Sequence, residues 1–257
     1  MLIIIAGDSF TGKTVSSCTF PKPMLFMDFD GGFRSVLHTK NKKGESIVKD
    51  AEGIDVKEFK YIQHVEISLD STRDKGGAPP PQAKEAATII KSFSNTLKTI
   101  NQDTKYKTVV IDSLTTLFRI LKDAILFANN LPALRIADYG TLERILLDQL
   151  IPNLKALPVD FVVLIDHVDM DKDEITGQIL EYPIGPSKSM GRNLGKSVDE
   201  LYRQKIEGDE YVWKTRKNGF FQAGSRLSVP ETIKANYGEL EKWLSVQRTV
   251  TRKEVVK

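Results

Sequence analysis

Residues 2–14 read LIIIAGDSFTGKT, and this stretch decides the fold of the chain. The apolar run over residues 2–6 is too short for a helix and rich in isoleucine, so it predicts a fully buried strand of the parallel type. Residues 7–14 fit the pattern G-x-x-x-x-G-K-[ST], and residues 12–20 have a helix-compatible composition. A strand, this loop and a helix in that order predict a phosphate-binding loop, the P-loop.

The residue types of the P-loop suit a phosphate chain. Gly7 and Gly12 allow backbone conformations and a close approach that a side chain would block. The N–H groups of the loop and of the helix start present positive dipoles to phosphate. Lys13 adds a charge near the β- and γ-phosphates, and the Thr14 hydroxyl can bind Mg²⁺. The predicted nucleotide-binding residues are Gly7, Asp8, Ser9, Phe10, Thr11, Gly12, Lys13 and Thr14.

A second predicted strand end supplies a carboxylate for the metal. Residues 109–112 read VVID and predict a buried strand that ends in Asp112. A P-loop needs a magnesium-side carboxylate at such a position, so Asp112 is predicted to hold the metal through water.

The group that activates water is harder to assign, because Ser113 stands where many P-loop ATPases have a glutamate. Asp28 and Asp30, at the tip of the second predicted strand, are the next candidates, since parallel strands bring their ends to one sheet edge. We choose Asp30 as the base. A turn-forming aspartate before two glycines is an equally good interpretation of it.

The strand predicted over residues 161–165 ends at the same sheet edge in Asp166 and His167. A polar residue at this position can contact the γ-phosphate, so that loss of the γ-phosphate can affect the loop that follows. His167 is the better candidate because it can donate a hydrogen bond, and an ordinary loop-facing histidine is the alternative.

Predicted strands alternate with predicted helices, which indicates a parallel sheet covered by helices on both faces. The stretch 169–198 is polar and glycine-rich without a period, and a loop of that length is usually functional. We predict one domain, residues 1–246, and a charged tail, residues 247–257. Predicted strands cover residues 2–6, 24–29, 61–69, 106–111, 161–165 and, as short antiparallel strands, 200–205, 211–216 and 226–229; predicted helices cover 12–20, 82–102, 114–129, 138–157 and 231–246, with a polar excursion at 38–60.

The composition excludes several classes of protein. Of 257 residues, 40% are hydrophobic and 28% charged, which is typical of a globular chain rather than a disordered or collagen-like one. The single cysteine, Cys18, excludes a disulfide framework, and the presence of only three histidines argues against a histidine-built metal site. No apolar run approaches the roughly 18 residues that span a bilayer, and the N-terminus lacks a basic n-region. We expect an intracellular protein that has no membrane partner.

Charge is distributed unevenly along the chain. The net charge is +3, but residues 185–257 carry 15 Lys and Arg against 9 Asp and Glu. A basic C-terminal third is weakly indicative of an acidic polymer as partner. A solvated surface is the alternative, and by charge alone it is the favoured one.

Several of these motifs together resemble the RecA-like recombinase core. They are the P-loop, the run MDFD at residues 27–30, the run IDS at residues 111–113 and the polar residue that closes the strand at 161–165. The MDFD run resembles the segment that carries the catalytic acid in that family. The resemblance implies a three-layer α/β P-loop NTPase fold with a RecA-like core, in which a mostly parallel sheet is extended by C-terminal antiparallel strands.

Within that family the chain is most similar to small core-only phage ATPases, the AAA-domain phage nucleotide-binding proteins. Some of these act as single-strand annealing recombinases. The similarity covers roughly residues 1–230. The runs VVLIDH at 162–167, KTR at 214–216 and SR at 225–226 fit the group.

The resemblance implies that the chain hydrolyses ATP with Mg²⁺, with stimulation by DNA, and assembles into a ring or filament. It also implies single-stranded DNA as partner, a single-strand-binding protein as a further partner, and the bacterial host cytoplasm as location. In the recombinases, the loop after the γ-phosphate-sensing strand contacts DNA. The first part of the corresponding loop 169–198 is acidic, so we place DNA contacts in residues 185–198, on Lys188, Arg192 and Lys196.

Two features of the sequence bear on the ATP hydrolysis that the resemblance implies. Asp30 stands where the recombinases usually have glutamate, and its shorter side chain is expected to slow hydrolysis. A basic residue of the neighbouring subunit often completes such a site. The candidates are Arg216, Lys217 and Arg226, which are equally well explained as surface charge on a hairpin.

The favoured function is therefore ATP-dependent binding of single-stranded DNA that promotes annealing or strand exchange in phage-type homologous recombination. A motor ATPase with the same core, such as a helicase or packaging component, is the first alternative. A nucleoside or nucleotide kinase is the second, which the basic C-terminal third fits poorly.

Overall fold

This computed structural model describes residues 1–38, 52–61, 78–102, 104–172 and 177–245. Within these residues nine strands form one sheet, and two more form a small antiparallel ribbon. The strands are β1 (Leu2–Gly7), β2 (Met24–Asp28), β3 (Ile54–Glu58), β4 (Thr108–Asp112), β5 (Phe161–Asp166), β6 (Val168–Lys172), β7 (Ile179–Pro183), β8 (Glu200–Glu207), β9 (Glu210–Lys214), β10 (Gly224–Ser225) and β11 (Thr232–Lys234).

Helices connect most of these strands. Two of them, α5 (Ile136–Arg144) and α6 (Ile151–Lys155), are joined without a break by a π-helical segment, Ile145–Leu150. The helices are α1 (Lys13–Ser17), α2 (Phe33–His38), α3 (Ala83–Gln102), α4 (Leu114–Asn129), α5 (Ile136–Arg144), α6 (Ile151–Lys155), α7 (Lys188–Leu194) and α8, over residues 237–245. Among the residues described, every helix is too short or too polar to cross a bilayer.

The sheet has the strand order β11-β9-β8-β1-β5-β4-β2-β3, with β10 paired to β8. From β8 to β3 all neighbours are parallel, whereas β9 and β10 are antiparallel to β8 and β11 is antiparallel to β9. β5 therefore lies between β1 and β4. The carboxyl ends of β1, β5, β4 and β2 meet at one edge, where parallel sheets of this kind bind ligands.

β1 is apolar throughout because both of its faces are covered. Leu2, Ile4 and Ala6 face a core that includes residues of α3, α4 and α6. Ile3 and Ile5 face a second core with residues of α2, α8 and β9. These two cores make three layers, and the predicted three-layer P-loop fold with a RecA-like core, a mostly parallel sheet and C-terminal antiparallel strands is confirmed.

The prediction of an unstructured loop over residues 169–198 is wrong. This stretch contains most of the β6–β7 ribbon and the helix α7. The residues of these two strands do not alternate regularly between buried and exposed, because the ribbon forms a sheet separate from the main one. The Ser187 side chain caps α7 by accepting a hydrogen bond from the Met190 N–H at 3.3 Å. The apolar residues that pack here are therefore too scattered to show a period.

Two C-terminal predictions are also wrong. Residues 226–229 form no strand, because the Arg226 N–H donates to the Glu200 side chain at 2.9 Å instead of to a neighbouring backbone. The last helix begins at residue 237 rather than 231, since β11 occupies 232–234 and the Asn236 side chain caps the helix through the Glu239 N–H at 3.0 Å.

For three other predictions, the structure adds a strand pairing or describes only part of the predicted segment. β8 is antiparallel to β9 and β10, as predicted, and it also pairs with β1 in parallel. The polar excursion at 38–60 contains β3, an edge strand, and its residues 39–51 lie outside the described ranges. Most of the strand predicted at 61–69 and the whole tail at 247–257 lie outside them too.

Trp213 links the fold to the P-loop and provides a test of the packing. It is fully buried, its ring lies 5.3 Å from that of Tyr202, and its Nε1 donates to Gln204 Oε1 at 2.9 Å. Because Trp213→Phe removes this donor and leaves a void, we expect it to lower the free energy of unfolding by about 2 kcal/mol. Urea denaturation followed by circular dichroism measures the change. Phe220→Ala, at an exposed aromatic side chain, should change the free energy of unfolding by less than about 0.5 kcal/mol. Equal urea midpoints for the two variants would contradict the role assigned to the buried Trp213.

Candidate nucleotide-binding site

The P-loop closes around the ammonium group of Lys13. Lys13 Nζ donates to the backbone carbonyls of Gly7 at 2.9 Å and Asp8 at 2.7 Å, and the side chain is buried. Burial lowers the pKa of Lys13, while the carboxylates of Asp112, Asp166 and Asp8 act in the opposite direction. A buried cation whose hydrogen-bond partners are neutral carbonyls is a strong attractor for a phosphate anion.

Both glycines of the motif are required by the geometry. A Cβ at Gly7 would lie 2.9 Å from both the Gln204 carbonyl oxygen and Thr11 Oγ1, so a side chain does not fit. Gly12 has a φ of +79°, in the left-handed region that glycine adopts without strain. The loop keeps its backbone N–H groups close to the start of α1, as a phosphate site needs.

Thr14 and Asp112 meet at the end of β4. Thr14 Oγ1 donates to Asp112 Oδ2 at 2.7 Å. Burial, together with the charges of Asp30 and Asp28, raises the pKa of Asp112 to about 7, while the hydrogen bond from Thr14 and the charge of Lys13 act in the opposite direction. Hydroxyl and carboxylate oxygens are the ligands that Mg²⁺ prefers, and Mg²⁺ usually takes only one or two carboxylates beside substrate phosphates and water. The two residues therefore fit Mg²⁺ bound together with a nucleotide. Among the described residues no group of three His, Cys, Asp or Glu side chains forms a separate metal site.

The turn after β2 separates the roles of Asp28 and Asp30. The buried Asp28 carboxylate accepts from the N–H groups of Asp30 and Gly32 at 3.1 Å and of Phe33 at 3.0 Å, which fixes the turn and begins α2. Asp30 is exposed and lines the same cleft as Lys13. Of the two candidate bases, Asp30 is the one that lines the cleft.

His167 also lines this cleft, at the end of β5. Burial lowers its pKa, and so does the charge of Lys13. Its backbone N–H donates to Asp166 Oδ1 at 2.9 Å, and that same oxygen accepts from Thr115 Oγ1 at 2.6 Å. The strand end is thereby held rigidly, with His167 toward the phosphate end of the cleft.

Sequence reasoning missed two residues of β8 that hold the P-loop. Gln204 Oε1 accepts from Ser16 Oγ at 2.8 Å, and Gln204 Nε2 donates to the Thr11 carbonyl. Arg203 Nη2 contacts Asp8 Oδ2 at 2.8 Å. Both side chains are buried. The sequence carried no clear signal for them, because residues 200–205 were predicted as a short antiparallel strand, in which polar residues are common.

The cleft has a volume of about 660 Å³ and extends beyond the phosphate end. Its far wall consists of Tyr211 and residues 234–236. A Cβ at Gly12 would lie 3.1 Å from the Tyr211 ring, which therefore packs against the P-loop backbone. Pockets for small ligands commonly have volumes of about 300–1,000 Å³, so the space suits a mononucleotide whose base lies by Tyr211. Phe10 stands at the mouth, with 97% of it exposed and a φ of +64°.

The predicted DNA-binding residues lie on or next to α7. Lys188 Nζ is 3.7 Å from Asp171 Oδ1, and Arg192 forms an ion pair with Asp171 as well. Lys196 Nζ donates to Asn193 Oδ1 at 2.7 Å. Two of the three cations are thus partly neutralised by one carboxylate of β6.

The candidate trans-acting residues Arg216, Lys217 and Arg226 are exposed. Arg226 pairs with Asp199 at 3.1 Å. It lies near the amino end of β8, and because β8 is parallel to β1 this is the end of the sheet opposite the P-loop. Arg226 is therefore remote from the cleft of its own subunit.

The aromatic wall generates a prediction. If a base stacks on Tyr211, Tyr211→Ala should weaken nucleotide binding about tenfold, since stacking on an aromatic ring contributes about 1–3 kcal/mol. Titration of a fluorescent ADP analogue measures the dissociation constant. Tyr139→Ala removes a partly exposed tyrosine of α5 and should leave the dissociation constant unchanged. Equal affinities for the Tyr211 variant and the wild type would place the base elsewhere.

Comparison with known proteins identifies the family. The model of an AAA-domain family matches residues 1–227, while no curated protein matches the chain. A solved structure, an ATPase from the type III secretion system of pathogenic bacteria, is similar at 13% identity and a TM-score of 0.38, over 79% of this chain and 51% of that one. The chain thus spans about half the length of that ATPase. P-loop ATPases use a nucleotide and typically Mg²⁺. Because the family model covers residues 1–227, which include the P-loop, Asp112 and Tyr211, this chain belongs to the AAA-domain family.

Proposed function

We propose that this ATPase binds single-stranded DNA and promotes annealing or strand exchange in phage-type homologous recombination. The observation that supports the proposal is the position of the β6–β7 ribbon. The ribbon begins directly after His167, a residue of the nucleotide cleft, and leads into the basic helix α7. A DNA-binding element at this position would be adjacent to the phosphate end of the cleft.

At the cleft, the roles of the residues follow from their positions. Lys13 and the P-loop N–H groups bind the phosphates of ATP, and Thr14 and Asp112 would hold Mg²⁺. Bound Mg²⁺ would neutralise charge that develops on the β- and γ-phosphates. Asp30 accepts a proton from the attacking water and orients it, and His167 donates a hydrogen bond to the γ-phosphate. These roles need positioning and electrostatics rather than a covalent intermediate.

At the ribbon, Lys188, Arg192 and Lys196 would contact the phosphates of single-stranded DNA without reading its sequence. Asp171 competes with DNA phosphates for two of these cations. DNA must displace that carboxylate, so affinity is expected to be moderate and sensitive to salt.

Assembly into a ring or filament of identical subunits would bring a basic residue of one subunit to the cleft of the next. Arg216, Lys217 and Arg226 are the candidates, because they are exposed and Arg226 is remote from its own P-loop. A single-strand-binding protein is the expected further partner, and the host cytoplasm the expected location.

The deciding experiment measures ATP hydrolysis with and without single-stranded DNA, together with a gel-shift assay and an annealing assay on complementary oligonucleotides. DNA-stimulated hydrolysis with faster annealing supports the proposal. Stimulation with unwinding or translocation instead would indicate a motor. Phosphoryl transfer to a nucleoside or nucleotide would replace the proposal with a kinase.

A substitution at Asp30 tests the role of the base. Asp30→Asn should leave the nucleotide dissociation constant within about threefold and lower kcat by about 10²–10³, the usual contribution of a general base. Lys13→Ala, by contrast, should lose binding and turnover together. Steady-state hydrolysis and nucleotide titration separate the two effects. Glu207→Gln, which removes a carboxylate paired with Lys214 outside the cleft, serves as control. Undiminished turnover in Asp30→Asn would show that another group activates water.

Charge changes around α7 test the DNA surface. Replacing Lys188, Arg192 and Lys196 with alanine should reduce the slope of log affinity against log salt by about 2, since each phosphate contact on a single strand contributes about 0.7. Asp171→Asn should have the opposite effect and strengthen binding. Fluorescence anisotropy of a labelled oligonucleotide at several salt concentrations measures both.

The matched control removes three exposed lysines of α3, Lys84, Lys91 and Lys98, and so changes the net charge equally. If this control and the α7 variant lower DNA affinity alike, the effect is one of overall charge and the DNA surface lies elsewhere.

A further inference from the structure

The buried side chain of Arg203 connects the P-loop to the β6–β7 ribbon. Its Nη2 contacts Asp8 Oδ2 at 2.8 Å, and its Nε donates to Glu181 Oε2 at 2.8 Å. Its Nη1 donates to the Gln204 carbonyl at 2.8 Å. Only 2% of the side chain is exposed, compared with 62% for Asp8 and 19% for Glu181. One buried cation is thus shared by two carboxylates on different structural elements.

The P-loop end of this bridge lies next to Lys13, the residue expected to bind phosphate. Asp8 binds Arg203 through its side chain and Lys13 through its backbone carbonyl, at 2.7 Å. A phosphate that attracts Lys13 replaces that carbonyl as the partner of the ammonium group. The Asp8 carbonyl then keeps the hydrogen bond from Thr11 Oγ1, at 2.9 Å, but loses the one from Lys13, and the Asp8 side chain can shift against Arg203.

The ribbon end of the bridge is connected to its neighbours by backbone and side-chain contacts. Glu181 lies on β7, and its backbone N–H and carbonyl are bonded to Phe220 and Gln222. On the same ribbon Asp171 pairs with Arg192 of α7, and the guanidinium of Arg192 lies over the Tyr182 ring at 5.6 Å. Glu181 is therefore connected to α7 through the paired strands β7 and β6.

We propose that Arg203 is a positioning residue that couples nucleotide binding in the P-loop to the β6–β7 ribbon, so that nucleotide and DNA change each other's affinity. The guanidinium suits this role, because it stays charged and its planar fork holds two carboxylates at fixed angles. When Asp8 moves away from Arg203, the buried guanidinium interacts more strongly with Glu181. This stronger ion pair holds the β6–β7 ribbon more tightly. By thermodynamic linkage, DNA that orders the ribbon must affect nucleotide affinity by the same factor. This inference rests on nucleotide binding at the P-loop and, in its DNA part, on the proposed function.

Hydrogen exchange tests the bridge without DNA. In the wild type, ADP with Mg²⁺ should slow amide exchange in 168–172 and 179–183 about tenfold. In Glu181→Ala the nucleotide should still bind, within about threefold of wild-type affinity, but exchange in the ribbon should no longer respond. Glu207→Ala, at a paired carboxylate outside the bridge, should respond as the wild type does. Equal slowing in Glu181→Ala and the wild type, or no slowing in the wild type, would overturn the proposal.

A thermodynamic cycle provides the second measurement and covers the case in which Glu181→Ala fails to fold. Nucleotide dissociation constants of Asp8→Asn, Glu181→Gln and the double variant should deviate from multiplicative behaviour by about fivefold or more. Multiplicative effects would show that Arg203 is only a structural support, and would overturn the proposal.

Binding to single-stranded DNA separates this inference from the proposed function. Nucleotide should change DNA affinity about fivefold or more in the wild type and less than twofold in Glu181→Gln, within the usual range of coupling between sites. A wild type that binds nucleotide and shows the ribbon response but binds no DNA would refute the proposed function and leave the bridge intact. A wild type that binds no nucleotide would refute both.

Discussion

The parallel pairing of β1 with both β5 and β8 is the constraint on which the nucleotide site depends. The register sets Ala6 beside Asp166 and Gly7 beside Gln204. The P-loop that follows β1 is therefore flanked by the strand end that carries His167 on one side and by the polar residues of β8 on the other. Only an apolar β1 could occupy this position, because both faces of the strand are buried.

The P-loop is held in shape by side chains before any ligand arrives. Gln204 forms hydrogen bonds with the Thr11 carbonyl and the Ser16 hydroxyl, while Arg203 forms an ion pair with Asp8. A neutral hydrogen bond contributes about 1 kcal/mol net, and one to a charged group about 1.5–3 kcal/mol. A loop ordered in advance does not lose conformational freedom on binding, so more of the interaction with phosphate is available as affinity.

Sequence reasoning located the parts of the site whose residue types are dictated by chemistry. The P-loop pattern and the aspartate at the end of an apolar strand could be predicted because phosphate and Mg²⁺ accept few alternatives. It could not locate Tyr211, Arg203 and Gln204, since their roles depend on β8 and β9 packing beside β1, a pairing between residues about 200 positions apart. The choice between Asp28 and Asp30 likewise depended on three backbone hydrogen bonds that no spacing rule reveals.

The ribbon and α7 escaped prediction for a related reason. Predicting a strand from alternation requires one buried face and one solvent-exposed face, and none of the residues of β6 is buried. The C-terminal elements are short and are fixed by side-chain contacts such as that of Glu200 with the Arg226 N–H. Local propensity is a weak guide where tertiary contacts of this kind decide the ends of the elements.

Asp166 has a consequence for the electrostatics of the cleft. Its Oδ2 is buried and without a hydrogen-bond partner, and burial raises the pKa of the carboxyl well above its usual range. An approaching triphosphate raises that pKa further, because anions disfavour the ionised form of a neighbouring acid. The group can therefore take up a proton instead of repelling the incoming polyanion, and the sheet edge can keep a rigid acidic anchor beside Lys13 at little electrostatic penalty.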